Sequence, residues 1–253
     1  MLFPRLIPIL LIENQRLVKT LGFESPSYVG DPLNAIRIFN EKEVDEIIVL
    51  DISASKSKLG PDFRYLEQIS SECFMPMTYG GGVKSAQDAK KIMECGIEKV
   101  SINSSYIDNP NLAMEISSQL GNSSTVLSLD ITSHGSEFYL DNTSTPFDEH
   151  VKSASDSGFG EILIQDVGKD GQLNGPNLEL VRRARSLTSL PIVYAGGVSS
   201  IEQCADVWKA GATGVGAGAW FVYRGALRAV MITYPKYKKV TEVFKQSLDT
   251  EKF

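Results

Sequence analysis

Cysteine and histidine are scarce in this sequence of 253 residues, which contains three cysteines and two histidines. Cys73, Cys95 and Cys204 have neither metal-binding nor disulfide-framework spacing, so we expect three reduced thiols in a cytoplasmic protein. His134 and His150 are too few for a histidine-based zinc site or for a catalytic triad. We therefore expect neither a metal ion nor another cofactor.

Long apolar runs and an excess of basic charge are also missing. No run approaches the roughly 18 apolar residues that cross a membrane, and residues 1–5 lack the basic start of a signal peptide. The formal net charge is −6 and the sequence pI is about 5.1. These values argue against a nucleic acid as the main partner. We expect no membrane association either.

Two glycine-rich stretches stand out among the residues that are present. In the first, an apolar run over residues 74–79 leads into Gly80, Gly81 and Gly82, and a helical pattern follows with Ser85 as its N-cap. Glycine lets the backbone approach a ligand closely, and amides between a strand end and a helix N-terminus favour a phosphate. A tight turn from strand to helix is the alternative explanation for this stretch alone.

The second stretch, residues 191–198, repeats the first about 115 positions later. The register continues through three further matches: Ser85 with Ser200, Gly96 with Gly211, and residues 100–103 with residues 215–218. An internal repeat of this size predicts a fold built from two similar halves. Two matching anion-binding turns suggest a ligand with a phosphate at each end.

Apolar runs of strand length alternate with helical patterns along the whole chain. The eight predicted strands lie within residues 6–12, 46–51, 74–79, 99–102, 125–130, 161–166, 191–194 and 214–217. This alternation indicates an α/β architecture with a parallel sheet. The length and the 42% of hydrophobic residues favour a single (β/α)8 barrel, a TIM barrel, over residues 1–253.

Three connecting segments are also predicted. We expect a loop around residues 13–19, a closing helix that begins within residues 224–232, and a lysine-rich ending, residues 234–253, that frays. In a barrel of this kind the active site lies at the C-terminal ends of the strands. The residues at those ends are Leu11, Asp51, Gly80, Gly81, Gly82, Asn103, Asp130, Asp170, Gly196, Gly197 and Gly218.

Over essentially its whole length the sequence resembles the HisF family, the cyclase subunits of imidazole glycerol phosphate synthase. The resemblance rests on an ordered set of motifs: residues 5–8 (RLIP), 17–19 (LVK), 30–32 (GDP), 50–52 (LDI), 80–82 (GGG), 99–103 (KVSIN), 130 (D), 160–163 (GEIL), 169–171 (KDG) and 196–197 (GG). Glycine phosphate turns occur in many barrels, but this ordered set is specific.

The resemblance implies a glutaminase partner, similar to HisH, that forms a heterodimer at the bottom of the barrel. Ammonia from this partner would pass through the barrel to a phosphorylated small-molecule substrate at the top. The implied substrate and phosphate contacts are Lys19, Asp51, Gly81, Gly82, Asn103, Ser104, Asp170, Gly171, Gly196, Gly197 and Gly218. Lys19 matches the lysine of a mobile loop, and Ala219 stands where the family has a phosphate-binding serine.

The family closes the floor of its barrel with a ring of two basic and two acidic residues. The matching positions, all with their charge type retained, are Arg5, Glu46, Lys99 and Glu161. Four core charges are costly unless they pair with one another, and an apolar lumen would pass neutral ammonia in preference to ammonium. The resemblance thus implies an ammonia gate, and a purely structural ion network is the alternative.

The pattern breaks at the first of the family's two catalytic carboxylates. Its first strand ends in an aspartate, whereas this chain has Leu11; the second carboxylate is present as Asp130. Leucine cannot transfer a proton, and Glu13 and Asp166 are the two candidates to replace the missing group. Gly168 replaces a further acidic residue of the family, and the segment after Asp130 is shorter than the family's hairpin.

These changes lie at the top of the barrel, while the gate and both glycine turns are retained. We therefore expect a divergent HisF-like subunit that adds channelled ammonia to a phosphorylated or nucleotide-linked sugar, in the synthesis of amidino or amino sugars for surface polysaccharides. One alternative is a true cyclase of histidine biosynthesis. The other is a barrel without catalytic activity that activates its glutaminase and routes ammonia.

Overall fold

The computed structural model describes residues 3–57, 60–141 and 143–249. Eight parallel strands form a closed barrel, because the last strand pairs with the first from Arg5↔Gly214 to Pro8↔Ala217. The predicted (β/α)8 barrel is confirmed. Its strands are β1 (Arg5–Glu13), β2 (Ile47–Asp51), β3 (Met77–Gly80), β4 (Lys99–Ile102), β5 (Thr125–His134), β6 (Glu161–Asp166), β7 (Ile192–Ala195) and β8 (Gly214–Ala217).

Helices separate the strands and cover the outside of the barrel. In the described part of the chain they are α1 (Pro32–Glu41), α2 (Ile52–Ser57), α3 (Phe63–Ser71), α4 (Ala86–Glu94), α5 (Ser104–Asp108), α6 (Leu112–Leu120), α7 (Phe147–Ser153), α8 (Leu178–Leu187), α9 (Ile201–Lys209), α10 (Ala219–Val222) and α11 (Tyr237–Asp249). Short 3-10 turns occupy Asn122–Ser124 and Val167–Lys169. No described helix is long and apolar enough to span a membrane.

Two β-hairpins extend the barrel at its C-terminal end. After β1 the chain forms antiparallel strands at Arg16–Leu21 and Glu24–Gly30, so the predicted loop around residues 13–19 is instead part of a hairpin. Asn14 and Gln15 make this turn possible because both adopt left-handed backbone angles, with φ of 51° and 60°. The second hairpin pairs the end of β5 with Glu137–Leu140.

The closing segment differs from the sequence-based prediction in two places. Residues 224–232 do not begin a helix, because Tyr223–Arg224 and Ala229–Val230 pair as a small hairpin in which Arg228 stacks on Tyr223. The closing helix is α11, which is ordered where fraying was predicted. Its apolar face explains this order, since Phe244 is fully buried against Phe3. Residues 250–253 lie outside the described residues.

The two halves of the barrel repeat each other in detail. Ser85 and Ser200 both cap their helices, and their side chains accept from Asp88 N and Gln203 N respectively. The glycine turns before them match as well, since both Gly81 and Gly196 have φ of 138°. The local sequence therefore specifies the same strand–turn–helix geometry twice, as the internal repeat predicts.

The barrel interior and its surroundings form two apolar clusters. Along the strands every second residue points inward, and the inner cluster fills the lumen with Ile7, Ile9, Leu11, Val18, Ile48, Val126, Leu163, Val193 and Ala195. The larger cluster lies between the barrel and its helices. A largely apolar lumen therefore separates the N-terminal floor of the barrel from the site at its C-terminal end.

Candidate functional site

Two neighbouring cavities open at the C-terminal ends of the strands. The larger, of about 860 Å³, lies over β1 to β6, and its lining includes the predicted residues Leu11, Asp51, Gly80, Gly81, Gly82, Asn103, Ser104 and Asp130. The smaller, of about 40 Å³, contains the predicted residues Lys19, Asp166, Asp170, Gly171, Gly196, Gly197, Gly218 and Ala219. Closure of the barrel thus brings together residues that were predicted from their positions at or near the ends of the strands.

Asp130 lies half-buried beside the larger cavity and is held from both sides. Asn103 Nδ2 donates to its Oδ2 at 2.8 Å, and Gln165 Nε2 donates to its Oδ1 at 2.8 Å. Burial raises the pKa of Asp130 to about 7, because the two hydrogen bonds offset the loss of water only in part. Near neutral pH this carboxyl group is therefore able both to accept and to release a proton.

Leu11 occupies the wall of the same cavity on the opposite side of the barrel, at the end of β1. Its side chain is 7% exposed and belongs to the inner apolar cluster with Ile9 and Val18. Leu11 also lines the smaller cavity, so it lies where the two cavities meet. The position across from Asp130 is therefore apolar and offers no group for proton transfer.

Neither candidate for the missing carboxylate stands in the place of Leu11. Glu13 pairs with Arg16 at the tip of the first hairpin, and it is absent from the lining of both cavities described above. Asp166 is the register partner of Ile131, one residue beyond Asp130, so its side chain alternates to the other side of the sheet. There it accepts a hydrogen bond from Tyr194 at 3.5 Å.

The turn after β3 requires glycine for a steric reason. A Cβ added at Gly81 would lie 2.5 Å from the Asp51 carbonyl oxygen, and the φ of 138° is strained for any other residue. The Asp51 side chain caps α2, since its Oδ1 accepts from Ser53 N at 2.9 Å and Ala54 N at 3.0 Å. Asp51 therefore shapes this turn, and the backbone forms the wall of the larger cavity.

Lys19 from the first hairpin lies against Gly218, at the end of β8, and lines the smaller cavity together with the turn after β7. The buried Lys19 Nζ donates to the Ile9 carbonyl at 2.5 Å, and a Cβ added at Gly218 would lie 2.5 Å from this nitrogen. Burial lowers the pKa of Lys19 to about 8, which the charge of Asp170 offsets only in part. An ammonium group in this position is a suitable partner for an anion.

Asp170 connects the first hairpin to the loop after β6. Its Oδ2 accepts from Thr20 Oγ1 at 2.6 Å and from Phe23 N at 3.3 Å. Gly22 N also donates to the Asp170 carbonyl oxygen at 3.2 Å. Asp170 therefore fixes the hairpin over the smaller cavity, which both Asp170 and Lys19 line.

The four charged residues at the floor form one closed ring of ion pairs. Arg5 contacts Glu46 at 2.5 Å and also Glu161, while Lys99 Nζ lies 3.2 Å from Glu46 Oε1 and 2.7 Å from Glu161 Oε2. Burial would raise the pKa of Glu161, but hydrogen bonds and charges from Arg5 and Lys99 lower it below its usual value. Each acidic residue of the ring is therefore paired with both basic residues.

Polar groups on one side of the lumen connect this floor with the upper site. Thr78 Oγ1 donates to Glu46 at 3.0 Å, and higher up Ser128 Oγ accepts from Gln165 at 3.3 Å. Between them lies Ser101, whose buried hydroxyl has no hydrogen-bond partner in the part of the chain that the structure describes. A small polar molecule in the lumen would satisfy this hydroxyl.

A family model for "Histidine biosynthesis protein" matches residues 5–228. A "Putative imidazole glycerol phosphate synthase subunit HisF" of Leptospira interrogans is 40% identical over 253 residues, covering 96% of this chain and 100% of the relative. The chain belongs to the HisF family. A "Putative imidazole glycerol phosphate synthase subunit hisF2" of Pseudomonas aeruginosa is 39% identical, and the match covers 93% of this chain and 97% of the relative. An "Imidazole glycerol phosphate synthase subunit HisF" of Exiguobacterium sibiricum is 34% identical, and the match covers 87% of this chain and 91% of the relative.

The HisF family is an enzyme family of the lyase and cyclase type. One residue of the site in this chain, Gln165, is not identified by the sequence patterns. Gln165 lines both cavities and hydrogen-bonds Asp130. The alternation Glu161, Leu163, Gln165 along β6 would have placed it inside the barrel, but it matches none of the motifs that carried the resemblance. Phe23, at the turn of the first hairpin, also lines both cavities and likewise matches none of those motifs.

The raised pKa of Asp130 predicts a measurable effect of pH on stability. Its folded pKa of about 7 exceeds the unfolded value of about 3.9, so the native state binds this proton more tightly. The resulting stability is complete below about pH 4 and is lost as the pH rises through 7, a difference on the order of 4 kcal/mol. Asp130→Asn should remove this component. Urea unfolding of the wild type and of Asp130→Asn from pH 5 to 8 checks this prediction. Two stability curves that run parallel over this range would contradict a carboxyl group that binds its proton more tightly in the native state.

Proposed function

We propose that this chain is the ammonia-using synthase subunit of a glutamine amidotransferase complex, with a HisH-like glutaminase as its partner. It adds the channelled ammonia to a phosphorylated or nucleotide-linked sugar in the synthesis of amidino or amino sugars for surface polysaccharides. The observation that carries the proposal is the pairing of one half-buried carboxyl group, that of Asp130, with the apolar Leu11 across the cavity. Ring closure with cleavage needs more coordinated proton transfers than one such group supplies.

The names of the relatives favour a branch beside the histidine pathway. Relatives at 39–40% identity carry the word "Putative", and two of them are numbered hisF2 and hisF3, as expected for additional copies. Relatives that are named as HisF subunits without this word are 34% identical. This difference supports a function that has diverged from that of an ordinary cyclase.

The proposed reaction uses the floor, the lumen and the upper site in sequence. Ammonia from the glutaminase would pass the ring of Arg5, Glu46, Lys99 and Glu161 and cross the apolar lumen as the neutral molecule. The lone pair of the ammonia nitrogen then forms a C–N bond with a carbon atom of the acceptor. The electron pair displaced from that carbon moves to the oxygen bonded to it. The Asp130 carboxylate takes a proton from the new ammonium group and returns it to that oxygen.

The glycine turns and Lys19 would hold the acceptor during this reaction. Gly81 and Gly82 bring backbone to the wall of the larger cavity together with Asn103 and Ser104. Gly171, Gly196, Gly197 and Gly218 line the smaller cavity together with Lys19, whose buried ammonium would pair with an anionic group of the acceptor. The 860 Å³ of the larger cavity is within the range of small-molecule sites.

A true cyclase of histidine biosynthesis is the second candidate. It is favoured by the match of residues 5–228 to the model for histidine biosynthesis proteins and by the retained Asp130. In that case the single carboxyl group would serve as both acid and base in turn. The two candidates differ in the acceptor that they use, which makes them separable by experiment.

The proposal is tested by supplying purified protein with ¹⁵N-ammonium chloride and each of two kinds of acceptor. One is the bis-phosphate substrate of imidazole glycerol phosphate synthase, and the other is a panel of nucleotide-linked amino sugars and sugar phosphates. Mass spectrometry should detect ¹⁵N in a sugar product and little or none in the product of the bis-phosphate. Rapid cyclase turnover would establish the second candidate, and turnover of no acceptor would leave only a role in activating the glutaminase.

A further inference from the structure

Gln165 lies where the lumen opens into the upper site. It follows Glu161 and Leu163 at two-residue intervals on β6, so its side chain faces inward like the floor residue and the lumen residue below it. In the barrel register it lies beside Asp130 on β5 and beside Ala195 on β7. Because Gln165 lines both cavities and contacts Asp130, a molecule that leaves the lumen beside Asp130 comes close to this side chain.

The contacts of Gln165 fix the orientation of its amide group. In its ionised form Asp130 only accepts hydrogen bonds, and the nitrogen faces it and donates to Oδ1 at 2.8 Å. Its second hydrogen is directed to Ser128 Oγ at 3.3 Å. Both hydrogens are therefore used, and the carbonyl oxygen Oε1 has no hydrogen-bond partner among the residues that the structure describes.

We propose that Gln165 is a positioning residue for both reacting groups: its nitrogen orients the Asp130 carboxyl group, and its carbonyl oxygen accepts a hydrogen from the ammonia that leaves the lumen. The contact with ammonia rests on the proposed function. The contact with Asp130 does not, because that hydrogen bond is present in the structure. Fixing both groups through one rigid amide holds the nitrogen beside the base that will take its proton.

The surroundings of Asp130 explain why such a residue is required. Leu11 and Ala195 provide no donor, and the negative charges of Asp141 and Asp170 both oppose ionisation of Asp130. Besides Gln165, Asn103 is the other side chain that donates to the carboxyl group in the described structure. Loss of Gln165 would therefore leave Oδ1 of Asp130 without this donor, and the carboxyl group would be less restricted in its rotation.

The first experiment measures the orienting role in the protein alone. Gln165→Met keeps the length of the side chain and removes its polar atoms, and Gln119→Leu on the exposed face of α6 is the control. A ¹³C NMR titration follows the Asp130 carboxyl carbon, which is assigned by its loss in Asp130→Asn. We expect the midpoint to rise by about one pH unit in Gln165→Met, because a donor to the carboxylate is lost. An unchanged midpoint would overturn the orienting role.

The second experiment measures the contact with ammonia. Turnover of the synthase bis-phosphate with ammonium chloride is compared in Leu11→Asp and in Leu11→Asp with Gln165→Met. We expect KM for ammonium to rise about tenfold, the effect of one lost hydrogen bond, with KM for the bis-phosphate unchanged. Equal changes in KM for ammonium and in KM for the bis-phosphate would overturn the proposed contact with ammonia. If Leu11→Asp shows no turnover, the ammonia contact is discarded, whereas the titration still decides the contact with Asp130.

Discussion

Leu11→Asp should convert this protein toward an ordinary cyclase. With ammonium chloride and the bis-phosphate of imidazole glycerol phosphate synthase, we expect the wild type to be slower by about 10²–10⁴ than a relative with two carboxylates, because one proton-transfer group is missing. Leu11 lines the same cavity as Asp130, so an aspartate there faces the substrate directly. The substitution should raise turnover detectably, and a further Asp130→Asn substitution should abolish it.

Leu11→Asn is the matched control for this experiment. It has nearly the size and polarity of aspartate but cannot exchange a proton near neutral pH, so its turnover should stay at the wild-type level. Both variants replace a leucine that is 7% exposed and should lose roughly 2–5 kcal/mol of stability. The assays therefore need confirmation of folding by circular dichroism. Wild-type turnover comparable to that of a relative with both aspartates would refute the proposed function.

Lys99→Ala should separate the use of glutamine from the use of free ammonia. Lys99 contacts both Glu46 and Glu161, and its loss leaves Arg5 as the cation that pairs with them in the described ring. Removing one partner of a buried ion pair costs about 3–5 kcal/mol. In the complex with the glutaminase, glutamine-dependent turnover should fall more than turnover with ammonium salts, because only the former requires passage through the floor.

Lys90→Ala provides the control for the loss of a lysine that pairs with an acid. Lys90 and Glu94 form an exposed pair on α4, with 4.0 Å between Nζ and Oε1, and such pairs contribute little. Both turnover rates should therefore be unchanged in this variant. If Lys99→Ala lowers the two rates by the same factor, the ring is a structural ion network, which is the alternative that the sequence left open.

The positions and contacts of the predicted site residues could be predicted to different degrees. Asp130 and Leu11 were placed at the mouth of the barrel from motif and strand position alone, and both line the larger cavity. Asp51 and Asp170 were placed at the same ends, but their carboxyl groups hold α2 and the first hairpin. Sequence position identified where these side chains begin, whereas their partners depend on which loops fold over the strand ends.

The sequence by itself determined the features that depend on neighbouring residues. Apolar runs of strand length, the caps Ser85 and Ser200, and the repeated glycine turns specify strands, helix starts and tight turns over a few residues each. Their regular alternation then leaves a closed parallel barrel as the way to cover every strand.

The tertiary structure decided everything that depends on barrel closure. Arg5 pairs with Glu161, 156 residues away, and Gln165 reaches Asp130, 35 residues away. Burial in this closed environment, rather than any neighbour in the chain, raises the pKa of Asp130 to about 7. Such pairings and the exclusion of water are set by the positions of distant strands around the barrel, and local sequence patterns carry no record of them.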